Sequence, residues 1–375
     1  MRILLFSHDK TLFKKGSESQ ARMRERGKIC DALVILVPTQ KGFEKESLSS
    51  NVRVIPTNSR SRFWSFFDLK KMAGRALKEE PINLIIAQDP FEFGWIATKL
   101  GKTYDISVQI ELHGDFYSTG YWKWSSPANL LRHQISLRVL KSACCIRVVS
   151  ERLRTALRDK LGISDNRISV FPVEARADRY LAAEKDKFLK ERYANFDFFL
   201  LTVGVLNPVK NIGMQIWALS DAVKRYPKTA LVIVGDGPER HVLEILARKL
   251  RVAQNVIFAD VQQDLLPYYM SADAFLLTSH AEGWGRVVVE AMASGLPTVM
   301  TDVGLAGEIL LNGRNGIIIP RKDERALERA IEQLEKDADL RERLSAEARK
   351  TIRMMPSHEE ALKKYKESWE KCVQD

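Results

Sequence analysis

The stretch SHAEGWGRVVVEAMASGLP, from Ser279 to Pro297, decides how the chain is read, because Glu282 and Glu290 stand there around a glycine-rich turn. The apolar run Ala274 to Leu277 before it reads as a buried strand, and Arg286 to Ser294 as a helix closed by Gly295 and Pro297. Gly283 and Gly285 let backbone come close to a ligand, and the amides that open the helix at Arg286, Val287 and Val288 form an anion site suited to a phosphate. Glu282 lies on the loop, and Glu290 over a turn further in. A carboxylate accepts both hydroxyls of a vicinal diol, so a phosphate site flanked by two carboxylates suits a ligand carrying sugar, diphosphate and ribose in sequence. That describes a nucleotide sugar. Either glutamate alone is an ordinary turn or solvated helix residue; it is the combination with the glycines and the preceding strand that points to a ligand.

Glu-Gly-x-Gly, seven residues between the two glutamates and Glu-Ala-Met-Ala-Ser-Gly-x-Pro together resemble the E-x7-E motif of retaining GT-B glycosyltransferases of family 4. The resemblance is strong from Phe198 to Pro320 and looser across the first half. It implies an α/β GT-B fold: two Rossmann-like domains whose parallel sheets face each other across a cleft. The alternation of strands and helices agrees. Apolar runs fall at Ile3 to Ser7, Leu33 to Val37, Val52 to Pro56, Leu84 to Gln88, Ser107 to Leu112, Cys144 to Ser150 and Ile168 to Pro172, mostly with amphipathic segments between them. The charged segment Ala182 to Asn195 suits a linker. A second series follows at Phe199 to Val203, Ala230 to Val234, Val256 to Ala259, Ala274 to Thr278, Thr298 to Thr301 and Ile317 to Ile319. The expected domains are 1–192, binding the acceptor, and 193–356, binding the nucleotide sugar, with a helix over 357–375 that crosses back onto the first.

Residues after each strand are the informative ones in open parallel sheets. By resemblance, Glu290 holds the ribose, Glu282 the donor sugar's hydroxyls, and Lys210, in Gly204-Val205-Leu206-Asn207-Pro208-Val209-Lys210, the diphosphate with the helix amides. The family pattern has Arg where Val205 stands; Arg286 is a candidate substitute. Gly235 and Gly237, in Gly-Asp-Gly-Pro, match a turn where backbone approaches the donor. Asp260 and Val261 occupy the region facing the nucleobase, and Gly304 to Glu308 matches a loop ending in Glu. In the first half, His113 of His-Gly-Asp matches the active-site histidine, so His113 and Glu282 are the expected catalytic pair. Gly16, Ser17 and Asp115 are expected on the acceptor side, although the family's glycine pair is reduced to Gly16. His8 and His280 also end strands and stand as supporting positions. Tyr121, Trp122 and Trp124 suit an acceptor wall, a membrane-facing edge or core packing. Phe171-Pro172-Val173-Glu174 departs from the family's Pro-Asn-Gly turn.

At 375 residues, 45% hydrophobic and 29% charged, the chain reads as two soluble globular domains. No run approaches a membrane span or a signal peptide, so a cytoplasmic protein is expected. Cys30, Cys144, Cys145 and Cys372 show neither zinc spacing nor a disulfide framework. The charge is lopsided: residues 1–192 hold 35 Lys and Arg against 22 Asp and Glu (+13), the remainder 24 against 26 (−2), giving +11 in all. Such a basic half attracts nucleic acid, an anionic membrane surface or a phosphorylated substrate, or is a plain solvated face. No nucleic-acid motif accompanies it. Asp337-Ala338-Asp339, the sole Asp-x-Asp, lies far down a charged helical stretch away from any strand end, so no metal site is expected and no cofactor beyond the donor. The expectation is a retaining transferase moving sugar from a nucleotide diphosphate sugar to a saccharide or lipid-linked acceptor, with contact at the inner membrane surface through the first domain. A nucleotide-sugar epimerase of the same fold and a catalytically weak binding subunit are the alternatives.

Overall fold

The computed structural model describes residues 1–172 and 177–374, so Val173 and Glu174 of the departing turn lie outside the described residues. The chain divides into two compact units, Met1–Pro172 with Pro356–Asp375, and Val173–Met355.

The first unit holds strands β1 (Arg2–Phe6), β2 (Ala32–Val37), β3 (Glu46–Ser49), β4 (Val52–Pro56), β5 (Leu84–Ala87), β6 (Ser107–Leu112), β7 (Cys145–Val148) and β8 (Ile168–Val170). They form one sheet in the order β3-β4-β2-β1-β5-β6-β7-β8, parallel except for β3. Near-continuous apolar runs such as Ala-Leu-Val-Ile-Leu-Val in β2 are what a parallel sheet covered on both faces demands. β3 was not expected. Its Glu-Ser-Leu-Ser buries only Leu48, and it pairs antiparallel with β4 through a tight turn at Ser50 and Asn51. The Asn51 amide donates to the carbonyls of Gly27 (2.8 Å) and Cys30 (3.0 Å), so a polar edge strand is held by its turn rather than by apolar alternation. The helix His358–Gln374 buries Tyr365, Trp369 and Cys372 in the core formed by β1, β2, β4 and β5. Gln109, fully buried on β6, donates to Ser368 Oγ at 2.5 Å.

The second unit holds β9 (Phe198–Val203), β10 (Thr229–Val234), β11 (Val256–Phe258), β12 (Ala274–Leu277), β13 (Thr298–Thr301) and β14 (Ile317–Ile319), all parallel, in the order β11-β10-β9-β12-β13-β14. The segment read as a linker and assigned to the first domain up to residue 192 packs instead on this unit. Tyr180 meets Tyr269 at 5.3 Å between ring centroids and Phe188 meets Tyr268 at 5.1 Å, while Arg349 donates to Leu181 O. Aromatic side chains too large to leave in water fix this segment to the helix Leu266–Ser271. The charged stretch after residue 323 is two helices, Glu324–Lys336 and Ala338–Arg353, broken at Asp337, whose carboxylate caps the second by accepting from Leu340 N at 2.8 Å.

In each sheet the strand order reverses once, between β1 and β5 in the first and between β9 and β12 in the second. Loops leaving the carboxyl ends of those neighbouring strands diverge to opposite faces and leave a crevice, the usual ligand position in open α/β sheets.

Candidate functional site

In the second unit that crevice lies between the loop after β9, bearing Lys210, and the loop after β12, bearing Glu282. The two side chains meet there: Lys210 Nζ lies 2.5 Å from Glu282 Oε1, and Ser279 Oγ donates to the same oxygen at 2.6 Å. A buried polar brace sets the spacing of the loops. Gln215 Nε2 donates to Thr278 Oγ1 (2.9 Å), Thr278 Oγ1 lies 3.0 Å from the Asn211 carbonyl, and His280 N donates to Val209 O at 2.8 Å. Asn207 accepts from Lys210 N and so fixes the short turn from which the lysine projects.

The helix Arg286–Ala293 begins immediately after this loop. Gly285, at φ 101°, is its N-cap, and no described side chain caps it. Within this opening turn Val288 N donates to Gly285 O at 2.8 Å, so the Val288 amide, expected to meet an anion, is engaged in the chain itself. Glu290 is buried and doubly held, accepting from Arg286 Nε (3.0 Å) on one oxygen and from Tyr269 OH (3.1 Å) on the other. Sequence reading placed Glu290 and Arg286 as separate ligand contacts; the structure joins them as an i, i+4 pair. Gly283 is buried, and Gly285 takes the left-handed region that favours glycine.

Gly235 and Gly237 have a reason of their own. A Cβ at Gly235 would stand 2.0 Å from Gly204 O, and one at Gly237 would stand 2.4 Å from Leu206 O. These glycines let the loop after β10 lie directly on the loop after β9, so they shape the Lys210 loop through backbone contact. Val205 is exposed, with no side chain of its own to hold a phosphate. Asp260 is paired with Arg240 (2.8 Å), and its carbonyl accepts from Gly235 N. Trp284, between Gly283 and Gly285, is buried with its indole N–H unbonded among the described residues, a donor that a ligand oxygen would satisfy.

In the first unit His113 follows β6, and its Nε2 lies 3.0 Å from Glu111 Oε2. Glu111 is fully buried between Arg147 (3.5 Å) and Arg26 (3.9 Å). Burial alone pushes the Glu111 carboxyl up, but the two guanidinium charges and the His113 contact overcome it and hold the group well below the usual carboxylate range. Burial lowers the pKa of His113, opposed by Glu111 and assisted by the two arginines. A neutral imidazole beside an ionised carboxylate donates through Nε2, which leaves Nδ1 as an acceptor for a hydroxyl. Arg26 in turn donates to Tyr365 OH, so the C-terminal helix reaches the histidine through three side chains.

The reversal in this sheet brings together His8, after β1, and Asp89, after β5. Their Nε2 and Oδ2 atoms are 2.7 Å apart, and the His8 ring stacks on Phe93 at 3.9 Å. Asp89 and Glu111 were missed by sequence reasoning; each was legible only as a polar residue at or beside a strand's carboxyl end. Two expected acceptor-side residues are engaged internally. Ser17 Oγ caps the helix Glu18–Gly27 and donates to Thr11 O (2.8 Å), while Asp115 is buried and accepts from Tyr117 N, Ser118 N and Ser118 Oγ. Gly16, at φ 76°, opens into free space. Trp122 stacks on Phe91 at 4.5 Å and is packed, whereas Trp124 is exposed.

Comparison with known proteins gives this geometry a family. The family model of glycosyl transferases group 1 matches residues 184–351, and that of glycosyltransferase family 4 matches residues 22–173. A lipopolysaccharide core biosynthesis glycosyltransferase of Rhizobium meliloti is 37% identical over 36% of this chain and 39% of its own length. The chain spans half or less of the length of the curated relatives it first matches. A solved sucrose-phosphate synthase from Thermosynechococcus elongatus superposes with a TM-score of 0.81 at 18% identity, over 97% of each chain. HepE from Anabaena, solved in complex with UDP, gives 0.75 at 18% identity, over 98% of this chain and 99% of its own. The two family matches fall one on each unit and the fold neighbours are GT-B proteins: the chain belongs to the family 4 glycosyltransferases, the glycosyl transferases group 1.

Proposed function

We propose that the chain transfers a sugar from a nucleotide diphosphate sugar to an acceptor hydroxyl with retention of anomeric configuration and without a metal ion. The observation that carries this reading is the contact of Lys210 with Glu282 at the strand-order reversal of the second unit, beside the uncapped start of the helix that holds Glu290. In this reading Glu290 takes the ribose hydroxyls, Lys210 and the start of that helix near Val287 take the diphosphate, and Glu282 takes the hydroxyls of the donor sugar. Negative charge grows on the diphosphate as the glycosidic bond breaks, so a cation and fixed amide dipoles already aimed there lower the barrier. Retention follows if the acceptor enters on the leaving group's side, where the departing phosphate takes the acceptor's proton. His113 then serves as a hydrogen-bond acceptor to a hydroxyl of the transferred sugar. Val205 leaves Lys210 without the second loop cation of the family, and Arg286, pinned by Glu290, is the proposed replacement.

Similarity to a lipopolysaccharide core biosynthesis glycosyltransferase supports a saccharide or lipid-linked acceptor in cell-surface glycan synthesis. Calorimetry with a panel of nucleotide diphosphate sugars, followed by NMR assignment of the product's anomeric proton, tests the whole reading. Micromolar binding of one donor and a product of the donor's own anomeric configuration are expected. Epimerised donor in the absence of any acceptor, or an inverted product, would overturn it.

A further inference from the structure

We propose that the helix Trp64–Glu79 docks the first unit onto an anionic lipid surface. This deepens the reading above and rests on it for the lipid-linked acceptor, but the surface itself is read from the helix. Ser65, Leu69, Ala73 and Leu77, four residues apart, are buried and form the inward face. The opposite stripe carries Trp64, Phe67, Lys71, Arg75 and Lys78, at i, i+3, i+7, i+11 and i+14, all exposed, with half-buried Asp68 and exposed Glu79 along one flank.

The aromatic end is the unusual part. Phe63, Trp64 and Phe67 are 67%, 51% and 54% exposed although their rings touch one another, with centroids 5.4–5.9 Å apart. Rings that form a cluster and still face water are not core; they are surface prepared for an apolar layer. Arg60 and Arg62 precede the cluster and the stripe's three cations follow it, all exposed. Aromatic rings at one depth and cations beside them match the layering of a bilayer interface, where tryptophan and phenylalanine enter at headgroup level and lysine and arginine meet lipid phosphates. The neighbouring helix, Glu92–Tyr104, adds one more aromatic and cation pair. Phe66 contacts Phe93 across the two helices at 6.4 Å, and exposed Trp95 carries Lys99 Nζ over its ring at 5.0 Å. A protein partner is less well matched, since a stable protein interface is depleted of lysine at its centre. The basic surplus of the first half supplies long-range attraction of the same sign.

Cosedimentation of the full chain with phosphatidylcholine vesicles, with and without phosphatidylglycerol, tests the docking. Binding that requires phosphatidylglycerol is expected. The variant Lys71→Glu/Arg75→Glu/Lys78→Glu should weaken it by on the order of a hundredfold, from the attraction expected of three cations near an anionic leaflet. Trp64→Ser/Phe67→Ser should lose binding at high salt, where only apolar insertion remains. All five side chains are exposed, so thermal midpoints should match the parent and exclude misfolding. Equal binding to both vesicle types, or variants that bind as the parent does, would overturn the proposal. So would a parent that ignores vesicles but forms a dimer, or captures single-stranded oligonucleotide, through these same residues. Donor affinity measured on the same samples separates the two readings: normal donor binding with no vesicle binding removes the docking alone, and vesicle binding without donor binding removes the transfer reading and keeps the docking.

Discussion

His113 owes its lowered pKa to burial, which outweighs the opposing pull of Glu111, a carboxylate two residues earlier on β6. Glu111 and the two arginines around it form a buried charged cluster that His113 joins through its contact with Glu111. Because burial depresses the folded pKa of His113 below its ordinary 6.5, the unfolded chain takes up this proton first. The stability it contributes is complete above pH 6.5 and is lost as pH falls through the folded value. His113→Gln keeps a donor for Glu111 but does not titrate. Its thermal midpoint should therefore fall less than the parent's between pH 8 and pH 5.5, while the shallower slope from His133 and His280, whose pKa values burial also lowers, persists in both. Parallel pH profiles for the two proteins would remove His113 from this role. The same variant should lose turnover far more than nucleotide affinity if the Nδ1 acceptor serves the transferred sugar. Lys210 makes the complementary case. It is the loop cation of the proposed diphosphate site, so Lys210→Ala should cost about 1.5–3 kcal/mol of donor binding, roughly tenfold to 150-fold in Kd by calorimetry. Unchanged affinity would mean that its ion pair with Glu282 only braces the loops.

At the scale of elements, two features show why some assignments could be made from sequence and others could not. Apolar runs such as those of β2 and β9 announce themselves because a parallel strand is buried on both faces. β3 does not, because an edge strand with one buried leucine reads like any polar loop until its turn is seen. Gly235 and Gly237 were identifiable as special positions, but their reason was not. A tight turn, a ligand and a second backbone all ask for glycine, and only the 2.4 Å approach of a notional Gly237 Cβ to Leu206 O decides among them. Gly237→Ala should therefore push the Lys210 loop out of position, lowering donor affinity and thermal midpoint together. A variant with the parent's midpoint and weakened binding would instead put the ligand against that glycine. The C-terminal helix tells a similar story. Its amphipathic pattern was legible, whereas its connection to His113 through Tyr365, Arg26 and Glu111 depends on three residues far apart in sequence. Trp369, almost fully buried, is its main anchor. Trp369→Ala should cost about 3–5 kcal/mol in urea unfolding of the first unit, by the lost transfer and the cavity left behind.

For the molecule as a whole, the signal behind the proposed ligand class is more local in sequence than the division of the chain. The paired glutamates, the glycines and the preceding strand are local, so a reader of nineteen residues, Ser279 to Pro297, meets nearly all of the donor-side signal. The boundary is not local: the segment Ala182 to Asn195 reads like a linker because its charges are evident and the contact of Phe188 with Tyr268 is not. What binds where in the whole chain is best asked by hydrogen exchange with and without a nucleotide diphosphate. The second unit has its own core and its own strand-order reversal, and the amides proposed to meet the diphosphate are main-chain groups whose exchange reports occupancy directly. Nucleotide alone should slow exchange across 204–211 and 278–288 and leave the loops after β1, β5 and β6 as they were. Protection at His8, Asp89 or His113 of comparable size, with none at 278–288, would move the donor to the first unit and reverse the assignment of the two halves.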